Sequence, residues 1–546
     1  MKKIYYLVLF YMTVITAPVM AQQKTTGIKS LVKPKLVVGL VIDQMRWDYL
    51  YRFRELYGEG GFKRLLNQGF SCENTMIPHV PTYTAVGHSC IYTGSVPAVD
   101  GIVGNFWYDR NTNSNVYCTD DSTVFSVGTS GVAGKMSPKN LWVTTISDEL
   151  RLSNNFKSKV IGIALKDRGA ILPAGHSANA AYWYDAGKWI SSSHYMTTLP
   201  AWVNDFNKKD EPGNFMSKDW NTLLPIEKYT LSTADDKPYE VNIPGEQAVT
   251  FPHKLSQMGT TKYESFKYTP FAATFTFDFA RQAIESEQLG KNTVTDFLAV
   301  SISSTDYTGH SFGTNSIEIE DTYLRLDRDI GDFLNYLDTK IGKGNYLLFL
   351  TADHGVAHIP GFLAEHKLPG GVFSDAGLVA DLNTKIEEKF SLKRAVLSLQ
   401  NYQVYLDIAA MEKQGKDVEG IKKLVIKTLM EKDFITNAFE TAKITAETLP
   451  EPLKKMLING YKDKRSGDIQ FVPKAAYFDG GTKGTTHGLW NPYDSHIPLV
   501  WFGWGVHPGK TNRETYMTDI AATLAGMLQI QMPSGCVGQV IGELVK

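Results

Sequence analysis

Three apolar runs in this 546-residue chain end in an aspartate, and histidines follow two of them closely. "KLVVGLVID" ends at Asp43. "FLAVSISSTD" ends at Asp306, with His310 four residues on, and "NYLLFLTADH" ends at Asp353 with His354 directly behind it. A later loop, "KGTTHG", flanks His487 with glycines. A lone D-x-x-x-H more often joins a surface carboxylate and a satisfied histidine than a pair of metal ligands. Three carboxylates at comparable strand ends, together with three imidazoles, make metal binding the simpler reading. Carboxylate oxygens and imidazole nitrogens suit Zn2+ without any thiolate. Six protein groups exceed the needs of one tetrahedral ion. Two ions roughly 4 Å apart are therefore expected, an arrangement that stabilises both the attacking and the leaving oxygen of an in-line displacement at phosphorus.

Such a site can also use a side-chain nucleophile. "VPTYTAVGHSCIYTG" offers Thr84 at the start of an expected helix, where backbone N–H groups and the helix dipole favour an anion. A threonine hydroxyl becomes a useful nucleophile when a metal deprotonates it. Taken alone, Thr84 reads better as a helix cap, and Thr82 is the rival hydroxyl. Lys166 and Arg168 in "LKDR", like Asn105 in "GIVGN", taken alone read as a solvated strand end and a turn residue.

The elements that must carry these groups are legible as β-branched apolar runs, at Asp43, Lys166, Asp306 and Asp353 and again in "IPLVWFGWG". Continuous apolar strands suit a parallel sheet buried on both faces. Ligands of open α/β sheets sit beyond the carboxyl ends of the strands, where these polar residues fall. Ile319, Tyr323, Leu326, Ile330, Phe333 and Leu337 recur at helical spacing, and "MTDIAATLAGMLQI" reads similarly. The expected fold class is α/β, a mostly parallel sheet sandwiched by helices. Residues near 180–270 and 360–475 fit the alternation poorly and are read as inserted, cap-like regions.

Composition excludes several classes of function. The chain is 43% hydrophobic and 21% charged with net charge −1, an ordinary globular balance with no basic footprint for nucleic acid. The start, "MKKIYYLVLFYMTVITAPVMAQQ", has two lysines, a short apolar stretch and a small residue at Ala21, so residues 1–21 read as a cleaved signal peptide. The apolar run is shorter than the roughly 20 residues a membrane span needs. A periplasmic or secreted protein, a monomer with no membrane attachment after cleavage, is expected. Cys72, Cys90, Cys118 and Cys536 match no zinc motif, and their pairing cannot be assigned from spacing.

Taken together, "VVGLVIDQMRWDYL", "PTYTAVGH", "GIVGNFWYD", "LKDRGAILPAGH", "STDYTGHSFG", "TADHG" and "GTTHG" resemble the alkaline phosphatase superfamily, nearest to the PafA-type, phosphate-irrepressible bacterial enzymes with a threonine nucleophile. The resemblance runs from about residue 35 to the end of the chain. It implies one zinc held by Asp306, His310 and His487, and another by Asp43, Asp353 and His354 with Thr84 bridging toward it. It further implies that Asn105, Lys166 and Arg168 bind the phosphoryl oxygens. His88, His176, His358 and His496 are not expected as direct ligands, although His176 and His358 are candidates for outer support.

The expected activity is hydrolysis of small phosphate monoesters to phosphate and alcohol through a phosphothreonine intermediate. Two cations and an amide suit a group with two charges and three free oxygens. The alternatives are a phosphodiesterase on the same scaffold, or a non-catalytic protein that holds zinc and phosphate. "CIYTG" at Cys90 lacks the proline and arginine of a sulfatase motif.

Overall fold

The strand Leu36–Ile42, "LVVGLVI", is buried along its whole length, as are its two neighbours, Asp296–Ile302 and Tyr346–Thr351. Both neighbours pair with it in parallel. A strand covered on both faces has no reason to alternate polar and apolar residues, which is why its sequence is a single apolar run. The computed structural model describes residues 33–545, so the expected signal peptide lies outside the described residues.

Among the described residues, the full sheet has eleven strands. From one side it runs His496–Ile497, Phe70–Met76, Leu499–Gly503, Tyr346–Thr351, Leu36–Ile42, Asp296–Ile302, Val160–Ala164, Ala180–Asp185, Lys188–Ser192 and Ser126–Val127. Gly509–Tyr516 pairs in parallel with Phe70–Met76. The four strands from Tyr346–Thr351 to Val160–Ala164 are mutually parallel. The expected α/β fold with a mostly parallel sheet between helices is the one observed. The helix expected from the Ile319-to-Leu337 spacing spans Ile317–Leu337, capped by the Ser316 hydroxyl, which accepts from the Ile319 N–H.

Register sets the height of each side chain at the carboxyl edge. Val41 is level with Thr351 and Ser301, and Ser301 with Ala164. Asp43, Asp353, Ser303 and Lys166 each come two residues after this level, just past the ends of four adjacent strands.

Residues 180–192 extend the central sheet, whereas 193–268 form short helices and loops outside it. A second, antiparallel sheet takes its strands from within 396–473. Val396–Gln400 pairs with Gln403–Leu406, which pairs with Ile469–Pro473, which pairs with Ile435–Glu440. Helices Asp375–Phe390 and Val418–Met430 close its own core around Leu382, Ile386, Val425, Leu429 and Phe471. All four cysteines are free.

Candidate active site

The carboxyl edge gathers the groups singled out in the sequence. The Asp43 N–H still bonds to Ile302 O at 3.0 Å, which fixes its side chain where the sheet ends. Asp306 and His310 lie on the helix Ser304–Phe312, one turn apart, immediately after the strand Asp296–Ile302. Thr84 opens the helix Thr84–Thr93, with Tyr83 in extended conformation before it. The Thr84 Oγ1 lies 3.3 Å from His354 Nε2 and 3.4 Å from Lys166 Nζ. Lys166 is buried, and its ammonium sits 2.5 Å from Asp306 Oδ2 and 2.7 Å from Asp43 Oδ2.

Three imidazoles are oriented alike. Each directs Nδ1 to a backbone carbonyl: His310 to Thr485 O at 2.7 Å, His487 to Thr82 O at 2.7 Å and His354 to Gly355 O at 2.9 Å. A carbonyl only accepts, so each Nδ1 donates and each ring turns its Nε2 toward the site. Those Nε2 atoms face carboxylate oxygens. His310 and His487 Nε2 are 3.2 and 3.7 Å from Asp306 Oδ1, and His354 Nε2 is 3.5 Å from both Asp43 Oδ1 and Asp353 Oδ2.

Among the described residues, two groups of ligand atoms have the compactness a metal needs: Asp306, His310 and His487, and Asp43, Asp306 and His354. Asp306 belongs to both, a shared place the sequence did not suggest, and Asp353 belongs to neither. Asp43 Oδ1 is buried without a hydrogen-bond partner, whereas Asp43 Oδ2 meets the Lys166 ammonium and Asp353 Oδ2 meets His88. Burial, and then the Asp353 charge, push the Asp43 carboxyl well above the usual range. Burial, and then His354 and His310, push His487 well below its usual value, keeping it neutral. Burial would also raise Asp306, but His310 and Lys166 hold it well below. Clustered buried carboxylate oxygens, one of them unpartnered, and imidazole Nε2 atoms turned toward them fit divalent cations held by oxygen and nitrogen.

Asn105 and Arg168 are held by hydrogen bonds of their own. Asn105 Oδ1 accepts from the Ala85 N–H at 3.0 Å, so its two amide N–H donors are what it can offer a ligand. Arg168 Nη1 donates to Tyr117 Oη at 2.9 Å, and that hydroxyl donates to Asp167 Oδ1 at 2.7 Å. Thr119 also donates to Asp167, so this carboxylate braces the arginine from behind. Thr82, the rival hydroxyl, is buried and donates to Leu489 O at 2.9 Å.

Sequence reasoning passed over Gln44. Its backbone N–H donates to Asp353 Oδ1 at 3.1 Å and its Nε2 to Asp306 Oδ1 at 2.7 Å, joining these two carboxylates. The only local signal was its place after Asp43. His88 stands one helical turn beyond Thr84, 3.2 Å from Asp353 Oδ2, and bonds to Thr84 O and Ser301 Oγ. His176 bonds to Asp148 and Leu141 O, His358 to Arg46 and Asn315, and His496 to Glu73 O. His176 and His358 thus make their bonds away from the two clusters.

The sequence model of the family described as Type I phosphodiesterase / nucleotide pyrophosphatase matches residues 37–496. Alkaline phosphatase PhoV of Synechococcus elongatus is 54% identical over 520 residues, covering 95% of this chain and 94% of that protein. A Myroides odoratus protein named calcium-transporting ATPase is 54% identical over 551 residues, covering 98% and 100%. The crystal structure of alkaline phosphatase PafA, known from Elizabethkingia meningoseptica, superposes with a TM-score of 0.91 at 49% identity, covering 94% of this chain and 99% of that one. The chain belongs to the alkaline phosphatase superfamily, in its type I phosphodiesterase / nucleotide pyrophosphatase family.

Proposed function

We propose that this protein is an exported phosphomonoesterase that holds two zinc ions and works through a covalent phosphothreonine at Thr84. The observation that carries the reading is the Thr84 hydroxyl, at the first turn of a buried helix and within 3.4 Å of both His354 Nε2 and Lys166 Nζ. Asp306, His310 and His487 would hold one zinc, and Asp43, Asp353 and His354, with the Thr84 oxygen, the other. The two ions supply Lewis-acid charge at the attacking and leaving oxygens.

The chain's own residues do the rest. Thr84 Oγ1 forms a bond to phosphorus as the ester P–O bond breaks and the alcohol departs. Asn105, Lys166 and Arg168 take the three non-bridging oxygens, whose two charges need that many donors. Water then cleaves the phosphothreonine P–O bond, releasing phosphate and restoring the hydroxyl. The relatives named alkaline phosphatase support this reading. The first 21 residues support export. No helix among the described residues is long and apolar enough to cross a membrane.

The test is acid quenching of the zinc-loaded enzyme during turnover of a radiolabelled monoester. Label is expected on Thr84 of the wild type, and Thr84→Ala is expected to keep its metals while losing turnover. Full activity in Thr84→Ala would refute the nucleophile. The family description favours one rival, a phosphodiesterase at the same site. A kcat/KM ratio below one for an aryl monoester over the matching diester would establish it.

A further inference from the structure

The second sheet ends against the site at the two-residue turn Asn401–Tyr402, between strands Val396–Gln400 and Gln403–Leu406. Both residues have left-handed backbones, with φ of +58° and +60°. Tight hairpin turns of this sign favour asparagine and glycine. A tyrosine there is strained, and such strain persists where surrounding structure over-determines it.

What surrounds it is the catalytic face. Asn401 Nδ2 donates to Phe106 O at 2.9 Å. Its side chain also fills the space beside Gly104, where a Cβ would stand 2.5 Å from Asn401 Nδ2. Gly104 and Phe106 are the two neighbours of Asn105. Tyr402 is buried, and its phenol meets that of Tyr83. Tyr83 directly precedes Thr84, and its ring stands edge-on to His487 with centroids 5.5 Å apart. One turn of the second lobe therefore holds the chain on both sides of the amide donor, and the residue joining the nucleophile to a metal-ready histidine.

We infer that the Asn401–Tyr402 turn is a positioning element that sets Asn105 and Thr84 at their working distances, so that the second lobe serves phosphoryl transfer as well as covering the site. This rests on the reading of Thr84 and Asn105 given above. Neither turn residue touches the substrate. Asn401 acts through Gly104 and Phe106, Tyr402 through Tyr83.

The test uses the zinc-loaded full chain. Asn401→Gly keeps the left-handed backbone and removes only the amide. It is expected to hold Tm and zinc content while kcat/KM for an aryl phosphate falls about tenfold, mainly through KM, as a displaced binding group would cause. Tyr402→Phe keeps the ring against Phe471, 5.9 Å away, and is expected to lower kcat. Gly104→Ala pushes its methyl into Asn401, and adding Asn401→Gly is expected to restore part of the loss, a non-additivity that marks direct contact. Unchanged kcat and KM in both Asn401→Gly and Tyr402→Phe would overturn the inference, as would a fall in Tm that accounts for the loss. Failure of the underlying site reading shows separately, as full turnover in Thr84→Ala.

Discussion

Gln44 and Gly309 interlock across the centre of the site. A Cβ on Gly309 would stand 1.9 Å from Gln44 Oε1, so the Gln44 amide reaches Asp306 only because residue 309 has no side chain. Gln44 itself has a φ of +66°, a conformation that costs a non-glycine residue on the order of 1 kcal/mol or more. The geometry trades that strain for a bridge between Asp353 and Asp306.

Gly309→Ala is accordingly expected to eject the Gln44 side chain and free Asp306. Loss of an outer-shell partner lowers metal affinity or activity by about 10- to 100-fold, and both zinc content and kcat/KM are expected to fall in that range. Gln44→Ala alone removes the same bond. The pair Gln44→Ala with Gly309→Ala is therefore expected to be no worse than Gln44→Ala. A double variant much worse than the single would show that the methyl does harm by another route.

On the proposed reading, substrate class turns on Lys166 and Arg168. Replacing both by alanine is expected to lower monoester kcat/KM far more than diester kcat/KM, because the diester has one charge fewer to neutralise. Comparing aryl monoester and diester on the same preparation measures this. Equal losses would sink the monoesterase assignment.

Most of this site was legible because burial writes itself into sequence. Strands covered on both faces read as unbroken apolar runs, and their polar ends, Asp43, Asp306 and Asp353, mark the edge of the sheet. Register did the rest, since Val41, Thr351, Ser301 and Ala164 stand level. What was not legible depends on partners distant in sequence. Gln44 is one polar residue among many until Gly309 makes room for it, 265 positions later. The shared place of Asp306 in both ligand groups comes from the helix Ser304–Phe312 that follows its strand, not from the strand end itself. Tyr117 carries no motif, and its role with Arg168 comes from the fold of a short hairpin, Phe106–Asp109 with Ser114–Tyr117.

Metal removal should be felt in stability as well as activity. Asp43, Asp353 and Asp306 are buried together, with Lys166 as the buried ammonium among them. A chelator is expected to abolish turnover and lower Tm, since a ligand bound only by the folded chain stabilises it by mass action. Zinc is expected to restore both. Magnesium is expected to restore neither, because three imidazoles are poor ligands for it. Full activity after exhaustive chelation would remove the metals from the proposed function.

A last prediction concerns pH and lies away from the metals. His253 is fully buried between Glu246 Oε2, 2.9 Å from its Nδ1, and Glu318 Oε1, 3.2 Å from its Nε2. Burial opposes its charge, but the two carboxylates raise its pKa to about 9. Burial, with the Glu318 charge, also raises buried Glu240 to about 9. In both cases the folded chain holds a proton the unfolded chain gives up earlier. Stability therefore falls as pH rises. The His253 contribution is fully present below about 6.5, the unfolded value, and is lost as pH passes through 9. It amounts to about 3 kcal/mol as an upper bound. The Tm of zinc-loaded protein is expected to decline between pH 7 and pH 9.5, and His253→Gln is expected to start lower and decline less. An equal slope in the variant would show that other groups set the alkaline limit of this fold.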